Sequence, residues 1–423
     1  MRNFGKFFLI IVLIIGIMFF SFVGCGSKRQ KTQLSKTPND IPPPSSNQNS
    51  QTDSNRPITI LLEHLPYSEN YLYIVFDKNS INNIKSFFKE NYPDNDDLQS
   101  VEEIIMGFSL FSHSNKKPVF SSVIVFSDFI KDEQQVIDDL LSTSSSFFKY
   151  KFVDKKTLLI TTSLQKFEKT QKQNQEMIER INDEIKENNN IVGNTVFGTS
   201  LGRFSWGQDN HISFLLISPT PADFKKIEKL YQTSIKEIPF FDDTNFQLYI
   251  TKGFFKYVTK KLSEYEVITS STASTINNLI EKTYKYGYPV FFIGNIDTEN
   301  QRIKEGIMFF DYGLPPSPFS SFEKNKIYQI IPHQYFTIFS VEHSSRIFLL
   351  VFDDTITLKD LAYRIHDKEI NVDDINDEYA YIRFDSNNLI FGKNKYSSNF
   401  IFTINGNETF IKINLNLNIK GGE

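Results

Sequence analysis

From Glu378 to the end of the chain, apolar and polar residues alternate through YAYIRFD, NLIFG, NFIFTING and ETFIKINLNLNI. Successive side chains of a strand point to opposite faces. A period of two over this length therefore demands several strands, each with one buried face and one wetter face. Asn405-Gly406-Asn407 supplies the residue types of a tight hairpin turn between two of them.

Upstream, a different unit recurs: an apolar strand ends in a polar cap and gives way to a helical period. It reads as YLYIVFDKNSINNIKSFFKEN (71–91), SSVIVFSDFIKDEQQVIDDLL (121–141), ISFLLISPTPADFKKIEKLY (212–231), FQLYITKGFFKYVTKKLSEY (246–265) and IFLLVFDDTITLKDLAYRI (347–365). In the first, Ile81, Ile84, Phe87 and Phe88 share a helical face, with Asn79 or Ser80 placed to cap. In the third, Pro221 suits a first helical turn after Thr220. No glycine-rich phosphate loop joins strand to helix in any of them.

Hairpins are expected around Asp154-Lys155-Lys156 and across 289–313, and a solvated helix with a narrow apolar stripe (Met177, Ile178, Ile181, Ile185) across 163–190. Antiparallel strands mixed with helices predict an α+β fold of mixed or antiparallel sheets. Residues 58–423 suffice for one large domain or two of ordinary size; two are expected, an N-terminal α+β domain over 58–240 and a hairpin-rich C-terminal one over 241–423. Two related halves are a further expectation. Leu65-Pro66 and Ile331-Pro332 both open strands, and one gap aligns Tyr71 with Phe336, Tyr73 with Ile338, Phe76 with Val341, Asp77 with Glu342 and Ser80 with Ser345.

Chemistry is sparse. GTSLG (198–202) matches the G-x-S-x-G elbow of serine hydrolases, but RFSWGQDN after it makes a poor helix, so a glycine-rich turn is the favoured reading over a nucleophilic Ser200. None of His64, His113, His211, His333, His343 and His366 is paired at i, i+4 or lies in an H-E-x-x-H pattern. His333-x9-His343 with Glu342 adjacent is a weak metal set, and surface or core-edge histidines are the favoured reading. The acidic runs 93–97 and 373–378 fail the calcium-loop template, and Asp94 or Asp96 is expected to cap a helix near Leu98. No catalytic residue, cofactor or metal is nominated. The 42 phenylalanines, against one tryptophan, read as core residues standing in for leucine.

The N-terminus bears on location. Arg2 and Lys6 precede an apolar run from Phe7 to Val23, and Gly24 then leads to Cys25, the single cysteine of 423 residues. That run fits either a signal-peptide core or an uncleaved anchor helix. Phe22-Val23-Gly24-Cys25 resembles the lipobox of bacterial lipoprotein precursors, although Phe22 stands where Leu is commoner. The resemblance implies a signal peptide over residues 1–24, cleavage between Gly24 and Cys25, and acylation of Cys25. Two or three acyl chains anchor a protein stably without spanning the bilayer. Residues 25–57 would then be the lipidated cysteine and a polar tether rich in Ser, Asn, Gln and Pro, with a reach of about 30 Å. The strand openings after Leu65-Pro66 and Ile331-Pro332 are similar to those of bacterial envelope lipoproteins, which implies no activity.

Loss of Arg2 and Lys6 takes the formal charge from −4 to −6, which argues against nucleic acid as a partner. The expectation is a membrane-anchored extracytoplasmic protein, on the outer-membrane or periplasmic side in a two-membrane cell. It would bind a ligand or an envelope protein, or support the envelope, without catalysis. A transporter's substrate-binding lipoprotein and a serine hydrolase are the alternatives. Mass spectrometry of the mature protein is expected to find an N-terminal peptide starting at lipid-modified Cys25. An intact peptide across Gly24–Cys25 would contradict the anchor.

Overall fold

The computed structural model describes residues 56–421 except 111–117, 142–147, 168–170, 186–188, 232–234, 236–237, 239, 242–243, 284–288, 298–301, 313–322, 341–345, 367–374, 376 and 392–393. Gly24, Cys25 and the rest of the leader lie outside the described residues.

The N-terminal segment runs through helix α1 (Arg56–Glu63), strand β1 (Tyr71–Val75), α2 (Lys78–Asn91), α3 (Asp96–Gln99), β2 (Val101–Ser109), β3 (Val119–Phe126), α4 (Glu133–Leu141), β4 (Lys149–Asp154), β5 (Thr157–Thr161), α5 (Gln171–Glu184), β6 (Ile191–Thr195), β7 (Gly198–Trp206) and β8 (His211–Pro219). The C-terminal segment adds β9 (Phe240–Phe241), β10 (Phe246–Ile250), α6 (Lys252–Glu264), α7 (Ser270–Thr283), β11 (Val290–Asp297), β12 (Arg302–Tyr312), β13 (Ile327–Ile331), β14 (Gln334–Ser340), β15 (Arg346–Asp353), α8 (Leu358–Arg364), β16 (Ile365–His366), β17 (Glu378–Phe391), β18 (Asn394–Gly406) and β19 (Phe410–Gly421).

Among the described residues, 17 of these strands form one sheet, and every pairing between them is antiparallel. The α+β expectation holds, with one large antiparallel sheet. From edge to edge the order is β4-β5-β3-β2-β1-β6-β7-β8-β19-β18-β17-β10-β11-β12-β15-β14-β13. Strands β9 and β16 pair separately. The sheet is continuous between the two segments because β8 pairs with β19, Leu216 lying opposite Ile413.

Strand β1 shows how the wings are covered. Leu72 and Ile74 enter a large core with Ile81, Ile84 and Phe87 of α2 and Val136 and Leu140 of α4. Tyr73, on the other face, packs with Leu61 and Leu62 of α1 and Ile181 of α5. On the C-terminal side α6 adds Phe254, Tyr257 and Leu262 to the large core. Tyr249 of β10 packs with Leu361 of α8, Ile235 and Ile238 in a second one.

Four of the five strand–helix units form as read; their caps differ in detail. Asp77 accepts from the Ser80 amide to cap α2, because Ser80 Oγ is taken by the Trp206 amide, 3.0 Å away. Thr251 caps α6, and Thr357 with Asp360 forms a capping box on α8. Asn95 caps α3 in place of Asp94 or Asp96; Asp97 Oδ2 instead accepts from the Lys131 and Asp132 amides.

The helix expected after Thr220-Pro221 is replaced by single turns, Phe224 to Pro221 and Ile227 to Phe224. Thr220 is tied to the β18–β19 loop through its amide and hydroxyl, and Phe224 is drawn among Phe197, Phe254, Tyr257 and Tyr379.

The alignment of Tyr71 with Phe336 and Tyr73 with Ile338 joins strands in different places. Strand β1 sits between β2 and β6, whereas β14 is next to the sheet edge, between β13 and β15. Strand β10 lies between β11 and β17. Val341, Glu342 and Ser345 lie outside the described residues.

In β7 a Cβ at Gly202 would stand 2.1 Å from the Leu215 carbonyl oxygen of β8, so only glycine permits this approach. Gly202→Ala is expected to cost about 1–3 kcal/mol in urea unfolding. An unchanged midpoint would show that the strands do not pack this closely.

Candidate functional site

The G-x-S-x-G stretch is structural. Gly198 has φ +104° and follows the β6–β7 turn, and Gly202 allows the close approach just described. Ser200 lies inside β7 with no exposure, its hydroxyl 2.5 Å from Ser218 Oγ, 3.1 Å from Thr195 Oγ1 and donating to the Gly198 carbonyl. The expected glycine-rich turn is corrected to a strand that begins at such a turn. A nucleophilic elbow needs a helix after its serine; β7 continues to Trp206.

The histidines are scattered. His64 is buried after α1, where burial holds its imidazole below the ordinary value. His211 Nδ1 makes a short contact with Asn418 Oδ1. His333 is exposed in the β13–β14 turn, 2.5 Å from Asp354 Oδ2. His113, His343 and the side chain of His366 lie outside the described residues, as do Asp373, Asp374 and Asn376 of the second acidic run. Among the described residues, no group of three or more His, Cys, Asp or Glu side chains could hold a metal.

An open pocket of about 500 Å³ beside α8 is lined by Lys304, Thr355, Ile356, Asp360 and Arg364. Asp360 is engaged in the capping box, and Arg364 donates at 2.5 Å to Glu305, which is fully buried and also accepts from Asn295 at 2.6 Å. This ion pair fastens α8 to β12. Burying it costs desolvation that its hydrogen bonds must offset.

The central strands offer the largest organised polar surface. On β19, Ile411, Ile413, Leu415, Leu417 and Ile419 are at most 4 % exposed, while Lys412, Asn414, Asn416 and Asn418 on the other face are half-buried. The same split runs through β18, with Phe400, Phe402 and Ile404 buried and Asn399, Ile401, Thr403 and Asn405 half-buried. On β8 it separates Phe214 and Leu216 from Ser213, Leu215 and Ile217. On β7 it separates Phe204 and Trp206 from Leu201, Arg203 and Ser205.

Register aligns the wetter residues in rows across the four strands. One row is Leu201, Ile217, Lys412, Asn405; the next is Arg203, Leu215, Asn414, Thr403; the third is Ser205, Ser213, Asn416, Ile401. At about 4.8 Å between strands the floor is roughly 15 Å across. Arg203 and Lys412 make no ion pair among the described residues, whereas Arg383 at the margin is paired with Asp385 at 2.8 Å. Asparagine is depleted in strands, so its use at alternate positions of a central one costs β-propensity. The alternation of FIKINLNLNI announced a wet face; its width required the register of strands some 200 residues apart in sequence.

At one end of this floor Glu378 opens β17 opposite Asn405, whose amide donates to Oε1 at 3.2 Å. Burial pushes the Glu378 carboxyl up to about 7, against smaller opposing effects of Asn405 and Lys229. Because the folded-state value lies above the ordinary 4.5, the folded protein holds more protons than the unfolded chain between those values. The stability tied to this residue is therefore full below pH 4.5 and is lost as pH rises through 7. Glu378→Gln is expected to flatten the difference between melting curves at pH 5 and pH 8 relative to the parent protein. An identical pH dependence in the two proteins would exclude Glu378 as its source.

No protein-family model, curated protein or solved structure matches this chain.

Proposed function

We propose that this chain is a lipid-anchored extracytoplasmic protein of the bacterial envelope, held through Cys25, that works by non-catalytic binding on the β7-β8-β19-β18 face. The observation that carries the reading is the division between the two sides of those strands. One side is sealed apolar core; the other presents amides, hydroxyls and two cations that make no ion pair among the described residues, Arg203 and Lys412, the latter 5.1 Å over the Phe410 ring. Such groups exchange hydrogen bonds with water in the free protein and with a ligand in a complex, and neither role requires a nucleophile.

The anchor is supported by Phe22-Val23-Gly24-Cys25. Among the described residues no helix is long and apolar enough to cross a membrane. A transporter's binding lipoprotein needs two lobes around a cleft, and one antiparallel sheet running through both segments weighs against it. The enclosure of Ser200 among Ser218, Thr195 and backbone weighs against a hydrolase.

We also propose that the two segments are related halves. Counted inward from the sheet edge, β4-β5-β3-β2-β1-β6-β7-β8 and β14-β15-β12-β11-β10-β17-β18-β19 follow one connection pattern, with β13 added outside. Strands β1 and β10, which hold the same place in the two patterns, share Leu-Tyr-Ile (72–74 and 248–250).

A photo-crosslinking amino acid at Asn416 in living cells tests the binding face, with Ser86 on the exposed side of α2 as the reference position. An adduct at 416 that is lost in Cys25→Ala is expected. Crosslinking at 416 no stronger than at 86 would remove the face from consideration.

A further inference from the structure

Resting on that reading, we propose that the ligand of the central face is an acidic polysaccharide strand. Three chemistries meet on this floor, and such a strand needs all of them. Sugar hydroxyls both donate and accept hydrogen bonds, as does a carboxamide; Asn414, Asn416 and Asn418 repeat this group at alternate positions of β19, with Ser205, Ser213 and Thr403 beside them. Sugar rings also have apolar C–H faces. Ile217 is 38 % exposed and Leu215, one row away, is half-buried; Leu201, opposite Ile217, is partly buried against the core under α1 and α5 and closes that side of the strip. These aliphatic side chains give the rings a place to stack without aromatic groups.

Acid groups on the strand need cations. Arg203 lies directly opposite Leu215, and Lys412 directly opposite Ile217, so a cation flanks the aliphatic strip on either side. Neither is neutralised by an ion pair among the described residues, even though the whole chain is net negative. The floor is also open and long: β19 alone spans about 40 Å, enough for several sugar units. A folded protein partner would call for a central apolar patch of aromatic anchors; the three rows described above hold none, and Phe410, at the end of the face, lies under the Lys412 ammonium at 5.1 Å.

The test uses the full-length lipidated protein in detergent micelles, titrated calorimetrically with short dextran, carboxymethyl-dextran and phosphorylated dextran of one chain length. These probes share a polyol backbone and differ only in acid group. Either acidic form is expected to bind at least tenfold more tightly than dextran, with the two arms showing whether carboxylate or phosphate is preferred. Arg203→Gln combined with Lys412→Gln is expected to abolish that preference. Asn416→Leu is expected to weaken all three probes by about tenfold, which corresponds to ~1.4 kcal/mol. Equal melting temperatures confirm that the variants fold.

The proposal is overturned if the acidic forms bind no better than dextran, if the Arg203/Lys412 variant keeps the preference, or if an oligothymidylate of equal charge binds as tightly. A protein adduct at Asn416 together with failure of every dextran would overturn the ligand class and leave the binding face standing. Absence of any adduct at 416 would remove the face itself.

Discussion

The pairing of β8 with β19 is the interaction on which the rest of the structure depends. It joins residues 211–219 to the last strand of the chain and runs from Phe410 opposite Pro219 to Asn418 opposite His211. Without it, two central strands would carry unpaired amides and carbonyls and their inner faces would lose the shared core. Ile212, Phe214 and Leu216 of one strand and Ile411, Ile413, Leu415 and Leu417 of the other belong to one apolar cluster. Closing so long a loop is affordable because its entropy cost grows only by about 0.6 kcal/mol per doubling of length.

The wings differ from the centre in how they are covered. Around β1 and β10, helices and turns pack against both faces, and aromatic rings fill much of the space. Phe76 meets Phe204, Phe87 meets Trp206, and Phe224 is ringed by Phe197, Phe254, Tyr257 and Tyr379. At the centre only one face is sealed. The other keeps the asparagines of β18 and β19, the aliphatics of β7 and β8, and the cations Arg203 and Lys412. The two sides of the proposed site thus come from different segments of the chain, which share a strand order but not a surface chemistry.

Much of this was readable locally. The β4–β5 hairpin and the helix whose narrow stripe buries Ile181 and partly buries Met177, Ile178 and Ile185 follow from short-range patterns. The turn expected at Asn405-Gly406-Asn407 instead begins at Asn407, whose amide donates to the Phe410 carbonyl, while Asn405 and Gly406 still pair with β19. Caps were less readable, because the hydroxyl of Ser80 is claimed by a residue 126 positions away and Asp77 takes the capping place. Pro221 looked like a helix start, but Thr220 and Phe224 answer to distant partners. G-x-S-x-G looked like a catalytic signature because its two glycines are needed for a turn and for close strand approach.

The sequence by itself determined the classes of element, the alternation of the C-terminal strands and the lipobox-like stretch around Cys25, since each depends on residues within one turn, one strand or one leader. Only the tertiary structure decided the order of the strands, the enclosure of Ser200, and which alternating faces stay wet. Register across β7, β8, β19 and β18 sets whether Asn416 faces Ser213 on an open floor or is buried in a core. A one-residue slip would exchange the two faces, and that register is held by side chains far apart in the chain.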